Sequence, residues 1–535
     1  MQRKLREIET ESNLSIYARR GILFAIADDI TIHARTQDLF ALTTSLPDIF
    51  TQYELPLNVN KSWILGPHVF SHHQADDIGL PRRLPRDGGK ILGVPIGDSA
   101  FCIDWVGEHF TRNAPPIRTL GLLPARTAMT LLKYSYNTRM HYLRKTLPER
   151  IIATSIFSRF DDLINEALLN TGVIDCRDQL IKLRCLPSDK GGLGMPSLEG
   201  HHGRRHHLIT AMRTREFLKV HYPHFVGDHT AAYNSHDVDI NGTPPEEIAD
   251  TMYQLRENNF DDDALKLFGT ALRRWTDYED STAAHGFHSE LVTSGALGSA
   301  ATFLSVQGVK LSFTTYSNGS RSNYETLLTD KEYVEAMRHF MLAPFRRNLD
   351  GLILCRCRPN DPWDLHSTPY HSSNCQLNSR ERTFRHSAVC QLLVKLLRKA
   401  SPSARITLEP RDATARRHPD ILIEDNAMSY HVDVSIVEPT SVHALSDAIG
   451  AATNKGAAAA MQETKKISSY ANTSWPDTLP FVLESTGRLG TSAEHLLEKI
   501  TSEKNHLRSW FNGEISLLMA KYQGRMRIHT HALIT

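Results

Sequence analysis

The stretch RHPDILIEDNAMSYHVDVSIVEP, residues 417 to 439, constrains this chain more than any other. An apolar run from Ile421 to Ile423 is followed by Glu424, Asp425, Asn426 and Ala427, and then by alternating apolar and polar residues from Tyr430 to Ile436. Alternation with a period of two next to a turn-like segment predicts two strands joined in a hairpin. With the turn centred on Asn426 and Ala427, counting along the two arms sets Asp420 directly opposite Asp433.

Directly opposed residues on antiparallel strands have Cβ atoms about 5 Å apart, and two like charges there repel. A divalent cation removes that penalty. Mg²⁺, or Mn²⁺ in its place, takes hard oxygen ligands, commonly one or two carboxylates, and leaves its other positions to water and phosphate. Such a centre suits phosphodiester cleavage, in which the cation polarises the phosphate and acidifies a bound water. A lysine is the usual third element. Lys466, with Lys465 beside it, lies in the helix-permissive segment AAAAMQETKKISSY, where Lys466 and Tyr470 are four apart and share a helical face. Lys455 is a competing candidate for the lysine.

A second constellation is built from cysteine. Cys355, Cys357, His371 and Cys375 form CxC, thirteen intervening residues, then HxxxC. Three thiolates and an imidazole match a closed structural Zn²⁺ site, whose soft and borderline ligands suit that ion. The CxC is one residue tighter than the commonest spacing, so His366 stands as an alternative ligand. The chain has 7 cysteines, an odd number with three clustered, which favours a metal site over a disulfide framework.

Composition bounds the rest. At 535 residues the chain has room for two to four domains, and 41% hydrophobic with 23% charged residues is ordinary for globular proteins. No apolar run of membrane-spanning length occurs and MQRKLREIETESN is polar, so neither a span nor a secretory signal is predicted and an intracellular protein without membrane contact is expected. A net charge of +1 means that any grip on phosphate must come from local basic patches.

HPD, then VDV thirteen residues after the first Asp, then KxxxY and FVLESTGRLG together resemble the restriction-like endonuclease domain of non-LTR retrotransposon proteins, a PD-(D/E)xK nuclease. The resemblance implies that Asp420 and Asp433 are metal ligands, Lys466 the catalytic lysine and Tyr470 its neighbour. Near the N-terminus, GILFAIADDITIHA reads as a hairpin with Asp28 and Asp29 at its tip. LPLNVNKSWILGP follows with Asn58 and Lys61, and then KILGVPIG from Lys90 to Gly97. In this order they resemble the last palm motifs of a reverse transcriptase, in which the aspartate pair would hold divalent ions. Ile26 stands where the family has an aromatic. Only 27 residues precede Asp28, too few for fingers and the upstream palm strand, so no DNA synthesis is expected of this chain alone.

Between these signals the chain reads as helical from 115 to 220 and resembles the thumb region of the same proteins. The loop LPSDKGGLGMPSL there carries Gly191, Gly192 and Gly194, which suit a tight turn, since no GK[ST] follows to make a phosphate loop. HHGRRHH, at 201 to 207, is read as a hydrated basic patch facing nucleic acid. Residues 225 to 262 are polar and acidic, a linker or long surface loop, and 263 to 350 are helical again. RERTFRHSAVCQLLVKLLRKA repeats Val389, Leu392, Leu393 and Leu396 at helical spacing. Arg385 and His386 match the family's RH there; a role near the scissile phosphate is one reading and surface bases at a helix start the commoner one, while Cys390 is read as core. Glu484 is expected to support the metal ligands, and two C-terminal helices to pack on the nuclease sheet.

The fold expected is a multidomain α+β or α/β chain. Its parts are a partial reverse transcriptase palm at 1–110, a helical thumb-like region at 111–225, a linker and helical connector at 226–350, a CCHC zinc knuckle at 351–380 and a restriction-like endonuclease domain at 381–535. The function implied is nicking of target DNA, so that the exposed 3′ end primes reverse transcription of the element RNA. Target DNA and element RNA would be the partners, dNTP a substrate only of a complete polymerase, and the nucleus, at chromosomal DNA, the location. The alternative is a catalytically dead remnant that binds nucleic acid through its zinc module.

Overall fold

The structure, a computed structural model, describes residues 21–34 apart from 27–28, short pieces between 51 and 90, then 91–147, 151, 155–200, five positions in 202–210, 262–314, 327–345, parts of 354–370, 371–410, 418–440 apart from 426–427, 445–502 and 504–532. The described elements are mixed α+β, with long helices and small sheets. Chain contacts gather them into two compact units, one of 1–115, 139–161 and 197–277, the other of 116–138, 162–196 and 278–535.

In the first unit, β1 (Gly21–Ile26) and β2 (Asp29–Ala34) pair antiparallel with Ile26 opposite Asp29. The predicted hairpin is therefore present. Asp29 opens its second strand, while Asp28 lies outside the described residues. Asn58 shapes a local turn, its carbonyl and side-chain oxygens both accepting from the Lys61 amide. The KILGVPIG segment folds into β3 (Gly89–Ile91) and β4 (Val94–Ile96), joined through Leu92 and Gly93, which both have positive φ. That conformation is cheap for glycine and closes two-residue hairpins. Asp98 then caps helix α1 (Ser99–Thr119) by accepting from the Phe101 amide at 2.8 Å.

The HHGRRHH tract differs from its reading as a hydrated patch. His202, His206 and His207 are half-buried, and the His202 ring packs edge-on to His141 and 4.3 Å from His206. Imidazoles are flat and part apolar, so they pack partly on one another while their remaining surface stays in solvent. Arg204 and Arg205 lie outside the described residues, as does most of the expected 225–262 linker.

The second unit holds the rest of the helices described below. Helix α2 (Ala125–Leu131), α3 (Ile156–Asn170) and α4 (Arg177–Cys185) lead into the glycine loop; α3 belongs to this unit from Asp162 onward. Gly191 and Gly194 take positive φ there, and a Cβ on Gly192 would lie 2.2 Å from the Leu186 carbonyl oxygen. The loop is a tight turn that folds back on α4, as the glycines predicted.

Helix α5 (Asp262–Thr293), of which this unit holds the part from Tyr278 onward, is followed by α6 (Leu297–Val306) and α7 (Asp330–Phe340). Thr329 and Glu332 close a capping box on α7. Two short strands, β5 (Leu354–Cys355) and β6 (Trp363–Asp364), pair antiparallel and are followed by α8 (His371–Asn374).

A four-stranded sheet closes the chain. Helix α9 (Ser379–Ala400) precedes β7 (Arg405–Leu408), β8 (Ile421–Asp425) and β9 (Met428–Val437). Two helices, α10 (Leu445–Thr453) and α11 (Ala457–Tyr470), cross over to β10 (Leu479–Glu484). The chain then continues through α12 (Thr491–Thr501) and α13 (Asn505–Ala532). The strand order is β10-β9-β8-β7, with β9 and β10 parallel and the other pairs antiparallel. Val432, Val434, Ile421, Ile423, Phe481 and Leu483 join a core with Val389, Leu392, Leu393 and Leu396 of α9 and with Leu496, Leu497, Phe511 and Ile515 of the last two helices. The predicted apolar face of α9 is the one buried. Because side chains alternate along a strand, β9 turns Asp433 and Ser435 to the opposite face, where α11 lies.

Candidate functional site

The acidic site begins with register. Ile421 pairs with Val432 and Asp425 with Met428. One step beyond the ladder, Asp420 stands opposite Asp433, and the Asp420 amide donates to the Val432 carbonyl at 3.0 Å. Counting from the sequence gives this register, although Asn426 and Ala427 themselves lie outside the described residues. β9 runs on where β8 has not yet begun, which leaves the Val434 amide without a strand partner on that side. The Asp420 carboxylate takes it, with Oδ2 at 2.6 Å.

Asp433 is only 5% exposed and looks into α11. The side chains of Gln462, Lys466 and Tyr470 recur every fourth residue and form a polar stripe against the polar side of β9. Gln462 donates to Ser435 Oγ at 3.0 Å. Lys466 Nζ lies 2.7 Å from Asp433 Oδ2. Tyr470 OH lies 2.7 Å from Asp433 Oδ1 and 2.9 Å from the His418 carbonyl oxygen. Its single hydrogen serves one acceptor at a time, and the charged carboxylate is the stronger. Three of the sequence-derived residues thus meet in one cluster. Lys455 stands elsewhere, with Arg488, Lys190 and Asp189 as its charged neighbours, and burial with the two cations pulls its pKa down.

One side chain beside these acids was given mainly a surface role by the sequence, and another, on α11, was not singled out at all. His386, on α9, approaches Asp420 with Nε2 3.4 Å from Oδ2 and 3.1 Å from the Val434 carbonyl oxygen. The hydrogen bond to Asp420 first, and Cys390 second, raise its pKa to about 10. Only the family's RH match pointed to it; its contact is tertiary and leaves no local signal. Each aspartate therefore has its own cation, His386 for Asp420 and Lys466 for Asp433, so side chains alone already relieve the repulsion between them.

Glu463 is the other. It is buried, and its Oε1 accepts from the Ser492 amide at 2.8 Å beside Gly490, which precedes α12 and has no side chain to cap it. A Glu four residues after Ala459 on a sheet-facing helix was the available signal.

Arg385 and Glu484 differ from expectation. Arg385 is 3% exposed, not a surface base, and its charge faces Glu438, equally buried. Burial lowers the Arg385 pKa to about 10 and raises that of Glu438 to about 7. Glu484 sits opposite Val437, four steps along the sheet from Asp433. It accepts from Ser305 Oγ and the Ala459 amide and faces Arg488 at 3.7 Å. Its link to the aspartates runs through the first turn of α11, which it holds.

The cysteine site is the tighter of the two. One ligand atom from each of Cys355, Cys357, His371 and Cys375 lies within 4.8 Å of all the others. Cys355 Sγ and Cys375 Sγ are 3.5 Å apart, and Cys357 Sγ is 3.2 Å from His371 Nε2. A tetrahedral Zn²⁺ with bonds of about 2.0–2.3 Å places its ligands roughly 3.3–3.8 Å apart, so this donor set fits the ion. Cys355, Cys375, Phe345 and Leu365 bury one another, and burial raises the three thiol pKa values, which a cation would reverse by displacing the protons. His366 lies outside the described residues. The structure brings together four donors of the right kind for structural zinc.

No family model matches the chain, and no curated protein matches it by sequence. Among the described residues no helix is long and apolar enough to cross a membrane.

Proposed function

We propose that this chain is part of a non-LTR retrotransposon protein, and that its C-terminal sheet carries a metal-dependent DNA endonuclease that nicks target DNA for reverse transcription of the element RNA. The observation that carries the reading is the meeting of Asp433, Lys466 and Tyr470, with Asp420 at the opposed register position. A buried carboxylate, a lysine 2.7 Å away and a second carboxylate across a hairpin are the parts a PD-(D/E)xK centre needs.

Asp420 and Asp433 would hold Mg²⁺ or Mn²⁺, two hard oxygen donors being what such an ion commonly takes from protein. Bound there, the ion would polarise a phosphodiester and acidify water. Lys466 would hold the attacking water or the phosphate oxygen, Tyr470 fixes the Asp433 carboxylate, and His386 neutralises Asp420. The zinc module would position DNA through phosphate contacts that weaken as salt rises. Work on chromosomal DNA would place the protein in the nucleus. Asp28 and Asp29 are read as the remaining acids of a polymerase palm that does not synthesise DNA by itself.

Plasmid DNA incubated with Mg²⁺ and either wild type or Asp433→Ala tests the endonuclease. Nicking by wild type alone is expected; equal nicking by both, or by neither, overturns it.

A second reading has its own observation. Because His386 and Lys466 already neutralise the two aspartates, the centre holds together with no divalent ion, as a non-cleaving remnant would. That reading is a zinc-dependent nucleic-acid-binding protein, for which DNA binding survives Asp433→Ala and disappears with zinc.

A further inference from the structure

The cluster of three cysteines and a histidine is not alone. His386, Cys390 and Asp420 also offer one ligand atom each within 4.8 Å of one another. His386 and Cys390 are four residues apart on α9, so the helix stacks them on one face. Asp420 reaches them from the start of β8, held by the Val434 amide.

The geometry points to a second site for a thiophilic divalent cation of the zinc class, formed by His386, Cys390 and Asp420 and separate from the knuckle. Chemistry selects the ion: a thiolate and an imidazole prefer Zn²⁺ or Co²⁺ to Mg²⁺, and one carboxylate beside them does not reverse that preference. Three protein ligands with a fourth position left to water is an ordinary zinc arrangement.

The surroundings are those of a metal-binding histidine. The Val434 carbonyl can only accept, so His386 Nε2, 3.1 Å away, carries the hydrogen. Nδ1, which faces Cys390 Sγ at 3.9 Å, is the nitrogen left to ligate once the cation gives up the proton there. An N–H held by a backbone carbonyl while the other nitrogen ligates is how such rings are commonly oriented. Closing 3.9 Å to the roughly 3.5 Å that one tetrahedral ion requires takes a small side-chain rotation. On binding, the Cys390 S–H and His386 Nδ1–H bonds break, sulfur–metal and nitrogen–metal bonds form, and the two protons leave to solvent.

A cation here would draw Asp420 away from the endonuclease centre; that consequence rests on the proposed function, whereas binding itself does not. The test is titration of the full chain, zinc-stripped, with Co²⁺, followed by near-ultraviolet thiolate-to-cobalt absorption and by stoichiometry. Two equivalents are expected for wild type and one for Cys390→Ser or His386→Gln, each still folded by circular dichroism. Cys375→Ser should lose the knuckle equivalent and keep the other. One equivalent in wild type, or two retained in Cys390→Ser, overturns the proposal whether or not the protein cuts DNA.

Discussion

Asp433 shows how much one buried side chain decides. Its carboxylate is almost wholly withdrawn from water, so its ionised form depends on Lys466 and Tyr470. Tyr470→Phe keeps the ring in place and removes a hydrogen bond to a charged group, a loss of about 1.5–3 kcal/mol. Lys466→Met leaves the charge with one partner and should cost about 3 kcal/mol, at the low end for breaking a buried pair because Lys466 is partly exposed. In an Asp433→Asn background the same Lys466→Met change should cost under about 1 kcal/mol. Urea denaturation of the four proteins checks this; equal costs in both backgrounds would show that no pair exists.

Glu438 and His339 make a pH prediction of opposite signs. Burial raises the folded pKa of Glu438 to about 7, so the folded state keeps a proton that the unfolded chain has released, and stability falls as pH rises from about 4.5 to 7. Burial, then Arg527 and Arg385, lowers His339 to about 3, so the unfolded chain binds the extra proton and stability rises from about pH 3 to 6.5. The two slopes offset each other between about 4.5 and 6.5. Relative to wild type, Glu438→Gln should therefore gain roughly 3 kcal/mol on going from pH 4.5 to 7, while His339→Gln should lose stability, relative to wild type, over its own window. Denaturant midpoints across that range read both differences.

Among elements, the β8–β9 hairpin was legible because a strand repeats every two residues and a two-residue turn leaves one register to count. The stripe on α11 was legible in part: Lys466 and Tyr470 are four apart in sequence, but only the packed sheet shows that Gln462 belongs to it. His386 was not legible as a neighbour of Asp420, since the two lie on different elements and nothing local links them. Arg385 was misread because a charged residue near a helix start is usually solvated, whereas this one lies on the inner face of α9 while Arg380, Thr383 and Phe384 beside it stay exposed. The knuckle ligands were legible from spacing, but the attachment of the knuckle was not.

That attachment yields a prediction. Ser373, on α8, exchanges hydrogen bonds with Gln523, and Asn378 donates to the Met526 carbonyl and to Thr530, all on α13. A knuckle held by zinc should therefore steady α13 as well. Zinc chelation, or Cys375→Ser, is expected to raise hydrogen exchange in the middle and last turns of α13 as well as in the knuckle. Exchange confined to the knuckle would show the two to be independent.

At the scale of the whole molecule, helices that flank the C-terminal sheet are themselves packed against helices from well before it, α13 on α7 and α10 on α6. Helix α13 crosses α7 at Gly524, where a Cβ would lie 2.2 Å from the Glu332 carbonyl oxygen. At that crossing Arg525 pairs with Glu332 at 2.6 Å and the fully buried Arg527 with Glu335 at 2.9 Å. Further along, Arg488 donates to the carbonyls of Leu304, Ser305 and Gln307 at the end of α6, beside the Ser305 to Glu484 hydrogen bond. A fragment of residues 381–535, the span that the sequence alone suggests for the endonuclease, would leave Arg527 without Glu335, and would leave the Arg488–Glu484 pair without Ser305 and the carbonyls at the end of α6. Losing these hydrogen bonds and the Arg527 ion pair, and uncovering the faces of α13 and α10 that α7 and α6 cover, costs several kcal/mol, comparable with a domain's net stability. That fragment is expected to be poorly folded, with a non-cooperative thermal transition. One beginning at Pro116, which retains all three segments of that unit, with α6, α7 and the knuckle and with Asp175 beside the buried Arg338, should melt cooperatively. Circular dichroism melts of the two decide it, and a cooperative transition in the shorter fragment would show that the earlier helices are accessory to the sheet.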